Sequence, residues 1–201
     1  MKSWYECGLH DPPEIWGKPC LGATPVHLSA WSKEKLGVCT PQTVSSGTDN
    51  YTLETNATTC GIYKATTSTT GEYFLIENRG PAGYDRGFIG LLLDNSTNTY
   101  AAENFKGGLA IWHIDNSSNC DYSNACDNST PNIVDLEEAN DADLDTNGSR
   151  GRTTNLFYSG NNATFDNSST PNSKLTSGST SGISVTNISA QGDNMTFTIS
   201  K

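Results

Sequence analysis

Residues 181–200 read SGISVTNISAQGDNMTFTIS, and this stretch decides the fold class. Apolar residues alternate with small polar ones on both sides of a Gly-containing turn at 191–194. The alternating apolar residues are Ile183, Val185, Met195, Phe197 and Ile199. A period of two places alternate side chains on the same face of a strand, so each strand has one apolar face. The stretch therefore predicts a β-hairpin with that face against a core.

Shorter runs of the same type lie upstream, each bounded by Gly, Asn, Ser or Thr: 61–64, 72–77, 88–93, 108–114 and 133–136. Most are too short for helices, and we interpret them as strands. The chain also holds 22 Ser, 25 Thr and 20 Asn in 201 residues, a composition that suits strands and turns. We expect a mainly β protein (β-rich α+β) with antiparallel sheets, a short helix near the N-terminus and long loops ordered by disulfides or a metal.

One helix is predicted where the first sustained apolar pattern begins. Thr24 can cap it, Pro25 suits the first helical position, and Gly37 ends the pattern. The helix would contain about three turns. We divide the chain into residues 1–50, a disulfide-tied segment with this helix, and residues 51–201, a β-rich domain.

The charge balance excludes two classes of partner. Twelve Lys and Arg oppose 22 Asp and Glu, for a formal net charge of −10. Such a chain is repelled by nucleic-acid backbones and by anionic lipid surfaces. The longest apolar stretch is far shorter than the ~18 residues that a membrane span needs. We therefore expect neither nucleic-acid binding nor a membrane span.

The cysteines indicate disulfides rather than a metal ribbon or a thioredoxin-like site, because their number is even and C-x-x-C spacing is absent. A local pairing is our prediction among the fifteen combinations that six cysteines allow. Each bond would close a short loop and stabilise the fold by roughly 2 to 4 kcal/mol. The predicted pairs are Cys7–Cys20, Cys39–Cys60 and Cys120–Cys126.

Ten N-glycosylation sequons indicate a location outside the cytosol, although composition alone would produce some of them. Their asparagines are Asn50, Asn56, Asn95, Asn116, Asn128, Asn147, Asn162, Asn167, Asn187 and Asn194. Together with the cysteines they predict an extracellular or cell-surface protein with covalently attached glycans. The first residues resemble no export signal, so we expect a mature or excised piece of a longer precursor.

An acidic stretch at 141–148 is the sharpest metal signal. Oxygen ligands at alternate positions followed by Gly suit a hard cation such as calcium. An EF-hand is excluded because the twelfth position from Asp143 is Thr154 rather than Glu. The alternative is a solvated acidic turn. The predicted calcium ligands are Asp135, Glu138, Asp141, Asp143, Asp145 and Asn147.

The three histidines, His10, His27 and His113, are too far apart for an H-x-x-x-H zinc site. His113 lies in an apolar strand, where a hydrogen-bonded core histidine is the first interpretation and a functional one the second. The residues alone therefore assign no catalytic group.

Several motifs, in order, resemble the immune inhibitor A family of secreted zinc metallopeptidases. They are PVHLSAWSK at 25–33, EYFLIENR at 72–79, GLAIWHID at 108–115, VDLEEA at 134–139, PNS at 171–173 and SGISVTNIS at 181–189. In that family an H-E-x-x-H helix precedes a Met-containing turn, and residues 1–4 resemble that turn. The resemblance implies that the zinc ligands and the general base lie upstream, so residues 1–50 would be the end of the catalytic domain. Zinc would bind only where that upstream segment is present, and this chain alone would be inactive.

Three functions remain open. The first is the non-catalytic C-terminal part of a secreted metallopeptidase-like glycoprotein, with the upstream peptidase segment as protein partner. The second is an extracellular glycosylated β-module with a structural or self-assembling role. A carbohydrate-binding module with stacking aromatic residues ranks third.

Overall fold

The computed structural model describes residues 26–55, 60–88, 105–118, 131–140, 144 and 151–201. These residues contain one α-helix, eight strands and two short 3-10 turns, at Gly83–Gly87 and Thr153–Asn155. In chain order the helix and strands are α1 Ala30–Lys35, β1 Gln42–Thr43, β2 Thr48–Glu54, β3 Ile62–Thr66, β4 Glu72–Arg79, β5 Gly108–Asp115, β6 Val134–Leu136, β7 Ser184–Thr186 and β8 Asn194–Ser200.

The described strands form two sheets. The five-stranded sheet has the order β1-β3-β4-β5-β6, and the three-stranded sheet has the order β2-β8-β7. β1 and β3 run parallel, whereas the other described pairs are antiparallel. The predicted class, mainly β with antiparallel sheets and a short helix near the N-terminus, is confirmed.

Alternation along the strands builds a three-layer arrangement. One face of the five-stranded sheet packs against the three-stranded sheet through a large apolar cluster that includes Phe74, Ile111, Val185 and Phe197. The opposite face of the five-stranded sheet carries a second cluster, which packs under Ala30 of α1. The five-stranded sheet is therefore the middle layer, with the α1 segment on one side and the three-stranded sheet on the other.

The predicted C-terminal hairpin is confirmed, because β7 and β8 pair antiparallel with Val185 opposite Ile199. The runs at 61–64, 72–77, 108–114 and 133–136 correspond to β3, β4, β5 and β6. The strand predicted at 88–93 is wrong at its first residue, because Phe88 is the C-cap of the 3-10 turn Gly83–Gly87 and has helical backbone angles. Residues 89–93 lie outside the described residues. The boundary placed at residue 50 falls inside β2.

The prediction of a three-turn helix starting near Pro25 is wrong. Helix α1 has six residues and begins after Ser29, whose Oγ accepts a hydrogen bond from Ser32 N at 3.2 Å. Residues 26–29 are not helical. The carbonyl oxygens of His27 and Leu28 instead accept hydrogen bonds from Arg79. The helix therefore starts after the residues that Arg79 holds, rather than at the capping pattern of Thr24 and Pro25.

The predicted disulfide between Cys39 and Cys60 is confirmed, with its Cα atoms 5.4 Å apart. It ties the segment after α1 to the start of β3. The other predicted partners, Cys7, Cys20, Cys120 and Cys126, lie outside the described residues. Across the described ranges, no helix is long and apolar enough to cross a membrane.

Candidate functional site

A buried group of charged side chains lies between α1 and the five-stranded sheet. We name it the anchor network and define it as Lys33, Glu77, Arg79 and Asp85. Glu77 and Arg79 are two residues apart on β4, so both side chains lie on the face that meets α1. Because a buried charge is costly unless it is paired and hydrogen-bonded, the partners of each group decide whether the network is stable.

Glu77, whose side chain is fully buried, accepts hydrogen bonds from four donors. Its Oε2 accepts from Lys33 Nζ at 2.7 Å. Its Oε1 accepts from Arg79 Nη1 at 3.0 Å, Trp112 Nε1 at 3.0 Å and the backbone N of Ala30 at 3.2 Å. The carboxylate therefore joins β4 and β5 to the first turn of α1.

Arg79 makes a bidentate ion pair with Asp85. Its Nε donates to Oδ2 at 2.8 Å and its Nη2 to Oδ1 at 2.7 Å. The same guanidinium donates to the carbonyl oxygens of His27 at 3.0 Å and Leu28 at 3.4 Å. Asp85 Oδ1 also accepts from the backbone N of His27 at 2.7 Å. Only arginine, with five donors in a planar fork, can hold two carboxylates and two carbonyls together.

The network is electrically balanced, with two cations and two carboxylates. Burial raises the pKa of Glu77, but the positive charges of Arg79 and Lys33 outweigh burial and hold that pKa below its ordinary value. Burial lowers the pKa of Arg79, and the charges of Glu77 and Asp85 raise it above its ordinary value. Glu77 and Arg79 are therefore both charged at neutral pH. Their contacts hold α1 and the residues before it on the five-stranded sheet.

A close approach of the backbone supports the network from β5. Gly107 has φ +91°, and a Cβ atom there would overlap the carbonyl oxygen of Arg79. Gly108 pairs directly with Arg79 in the register of β4 and β5. Only glycine permits both the positive φ and this contact.

The anchor network and the residues hydrogen-bonded to it join three sequence motifs, those at 25–33, 72–79 and 108–115. Residues 27–33 supply Lys33 and the backbone groups, residues 72–79 supply Glu77 and Arg79, and residues 108–115 supply Trp112. The network thus connects the segment assigned to residues 1–50 with strands assigned to residues 51–201.

Three large apolar side chains in or beside α1 are strongly exposed. Leu28, Leu36 and Val38 are 50%, 69% and 70% exposed. Trp31 Nε1 is buried and has no hydrogen-bond partner among the described residues. Exposed apolar side chains mark a protein interaction surface where they form one contiguous patch. We name Leu28, Leu36 and Val38 the outer patch.

His113 lies at the other face of the five-stranded sheet, between two carboxylates. Its Nε2 is 2.9 Å from Glu72 Oε1 and its Nδ1 is 3.3 Å from Glu137 Oε1. Burial lowers the pKa of His113, whereas Glu137 and Glu72 together raise it above its ordinary value. Glu72 Oε1 also accepts from Thr176 N at 2.6 Å. His113 is thus a largely buried, hydrogen-bonded histidine.

Two of the predicted calcium ligands lie in the described part of the chain. Asp135 is on β6, and Glu138 Oε1 accepts a hydrogen bond from Leu144 N at 2.9 Å. The described residues hold no group of three His, Cys, Asp or Glu arranged to bind a metal. The remaining predicted ligands lie outside the described residues: Asp141, Asp143, Asp145 and Asn147. Calcium binding stays a prediction.

The sequons divide by environment. Asn162 is partly buried, whereas five others are exposed: Asn50, Asn116, Asn167, Asn187 and Asn194. The predicted sites Asn56, Asn95, Asn128 and Asn147 lie outside the described residues, as does His10.

Sequence reasoning missed the anchor network. The available signal was Glu77 and Arg79 in alternate positions, directly after the apolar and aromatic run 73–76 of the same strand. On a strand buried on both faces, that pattern requires cations and carboxylates from elsewhere. A scan of known protein families finds no match for this chain, and a search of curated proteins finds no relative.

Proposed function

We propose that this chain is the non-catalytic C-terminal part of a secreted metallopeptidase-like glycoprotein, and that its β-sandwich is the platform that positions an upstream peptidase segment. The observation that carries the proposal is the anchor network, which fixes residues 27–33 on the middle sheet. The segment so fixed is the one that leads back towards the predicted peptidase.

The chemistry of the network suits positioning. A charged network with every group paired tolerates only one placement of the incoming segment, because a shift leaves a buried charge without its partner. Lys33 Nζ and the backbone N of Ala30 donate to the two carboxylate oxygens of Glu77, and the carbonyl of His27 accepts from Arg79, the next residue on the same face of β4. Residues 27–33 are therefore set in one register on the sheet.

The outer patch supplies the surface for the partner. Its three side chains are exposed on the side of the α1 segment, and burying a Leu or Val side chain yields about 1.5–3 kcal/mol. Because these side chains are already partly buried, complete burial of all three contributes less than the roughly 4.5–9 kcal/mol of three fully exposed side chains, before the cost of association is subtracted. Zinc would bind only in the upstream segment, so the chain alone is expected to lack peptidase activity.

The test begins with the gene. The proposal expects a coding sequence upstream of residue 1 that contains H-E-x-x-H. That upstream segment and this chain, produced as separate polypeptides, should associate in isothermal titration calorimetry. Leu36→Asp and Val38→Asp should each weaken association about tenfold or more, because a charge then faces an apolar partner.

The matched control is Thr52→Asp, which places the same charge on the exposed outer face of β2. It should leave the association unchanged. The proposal is wrong if the gene lacks the motif, if the two polypeptides do not associate, or if the outer-patch variants bind as the wild type does.

Self-association is the second candidate, because the outer patch could also meet a second copy of the chain. Light scattering across a concentration series separates the two cases. A dimer that Leu36→Asp dissociates, in the absence of any upstream segment, would favour the self-associating module.

A further inference from the structure

We propose that the solvent face of the three-stranded sheet carries N-glycans at Asn50 and Asn194, and that Asn162 stays unmodified in the folded protein. The inference rests on the secretory route in the proposed function, and it does not depend on the association with an upstream segment. It selects among sequons that the sequence alone leaves equivalent.

The extended conformation presents both recognition residues of each sequon on one face. Asn50 and Thr52 lie two residues apart on β2, as Asn194 and Thr196 do on β8, and all four are exposed. Tyr51 and Leu53 lie on the opposite face of β2, against the core. Each sequon therefore projects its amide and hydroxyl into solvent together.

The two strands are direct neighbours, so the sequons share one surface. Asn194 pairs with Glu54, and Thr52 pairs with Thr196. The remaining outward positions are hydroxyl side chains: Thr48, Thr198, Ser200, Ser184 and Thr186. Such a face presents no large apolar side chain to a protein partner, and it is compatible with a hydrated glycan.

The amide groups of these two asparagines are available for modification. Asn50 uses its carbonyl, since Oδ1 accepts from Thr198 Oγ1 at 2.8 Å. Its Nδ2 makes no hydrogen bond within the described residues, and neither does the Asn194 side chain. A sugar on Nδ2 would therefore leave the hydrogen bonds of this sheet in place.

Asn162 has the opposite environment. Its Nδ2 donates to Ala139 O at 3.0 Å and to Thr170 O at 3.2 Å, and its Oδ1 accepts from Thr164 N at 3.2 Å. Both amide hydrogens are used, and the side chain is partly buried. A sugar in place of one hydrogen removes a hydrogen bond and requires space where the chain is packed.

N-glycosylation consumes one of the two hydrogens on Asn Nδ2. The hydrogen bonds that Nδ2 makes in the folded protein therefore decide whether a modified asparagine still fits. The co-reactant is a lipid-linked diphosphate oligosaccharide. Asn Nδ2 bonds to the anomeric carbon while the bond from that carbon to phosphate oxygen breaks, its electron pair leaves with the diphosphate, and Nδ2 releases one proton. One N–H remains, which is sufficient at Asn50 and one too few at Asn162. Transfer occurs on the unfolded chain, so molecules modified at Asn162 fold poorly and are depleted from the secreted pool.

The test uses the full chain, secreted from a eukaryotic host behind a heterologous export signal. Enzymatic deglycosylation converts each glycosylated Asn to Asp, and peptide mass mapping then scores every sequon. We expect conversion at Asn50 and Asn194 in most secreted molecules and none at Asn162. Thr52→Ala and Thr196→Ala should each remove the mass of one glycan, whereas the matched control Thr164→Ala should remove none.

Two results would overturn the inference. One is secreted protein with an intact Cys39–Cys60 disulfide but unmodified Asn50 and Asn194. The other is Asn162 converted as fully as they are. Either result leaves the proposed platform function standing, because calorimetry with the upstream segment tests that function separately.

Discussion

Replacing Glu77 with Gln tests whether the anchor network holds the α1 segment in place. The amide keeps the shape of the carboxylate and removes its charge. Glu77 Oε1 accepts from three donors and Oε2 from Lys33. Either orientation of the Gln side chain therefore points its NH2 group at a donor, and the two buried cations retain a single carboxylate, Asp85.

Removing one partner of a buried ion pair costs about 3–5 kcal/mol, and we expect that loss from the free energy of unfolding of Glu77→Gln. For a chain of this length, 1 kcal/mol corresponds to about 2–4 °C, so Tm should fall by roughly 6–20 °C. Urea titration followed by tryptophan fluorescence measures the loss, with an unchanged m-value as the check on two-state unfolding.

The matched control is Glu54→Gln, an exposed carboxylate at the end of β2. It should change the free energy of unfolding by less than about 0.5 kcal/mol. A Glu77→Gln protein within about 1 kcal/mol of the wild type would refute the assignment, because a buried network that tolerates this change does not fix the segment.

Three further predictions concern protons, calcium and activity. Because Glu137 and Glu72 raise the pKa of His113, their contacts should stabilise the fold fully below about pH 6.5 and lose that contribution as pH rises through the folded pKa. The stability gap between wild type and His113→Gln should thus narrow in alkaline urea titrations, and a constant gap would contradict this. Calcium at a hundredfold excess over Kd should stabilise the fold by about 2.7 kcal/mol and so raise Tm, and Asp143→Ala should abolish that rise. Equal Tm values with calcium and with chelator would favour a solvated turn. The isolated chain should not cleave casein, and chelator-sensitive cleavage by contaminant-free material would contradict that expectation.

The elements that could be predicted are those whose signal is local. The hairpin of β7 and β8 follows from the alternation of Val185, Met195, Phe197 and Ile199, which fixes both strand type and inward face. The Cys39–Cys60 bond follows from short sequence separation. β2 was not predicted, because Thr48, Asp49 and Asn50 are polar and exposed, and strand pairing with β8 compensates for their low apolar content.

The helix start and the anchor network depend on contacts between distant residues. Lys33 lies 44 residues before Glu77, and His27 lies 52 residues before Arg79. Thr24 and Pro25 match the local pattern of a helix start. Arg79 nevertheless binds the carbonyls of His27 and Leu28, and these residues are not helical. Periodicity identifies β4 as a strand, and it contains no information about which distant cation meets Glu77.

Hydroxyl-radical footprinting of the outer patch tests the platform function most directly. The experiment compares the isolated chain with the longer protein that we propose, in which a peptidase segment precedes residue 1. We predict that Leu28, Leu36 and Val38, exposed in the isolated chain, lose most of their reactivity in the longer protein, while Thr52 and Thr196 on the three-stranded sheet keep theirs. Equal reactivity of the outer patch in both proteins would contradict the claim that this surface positions an upstream segment.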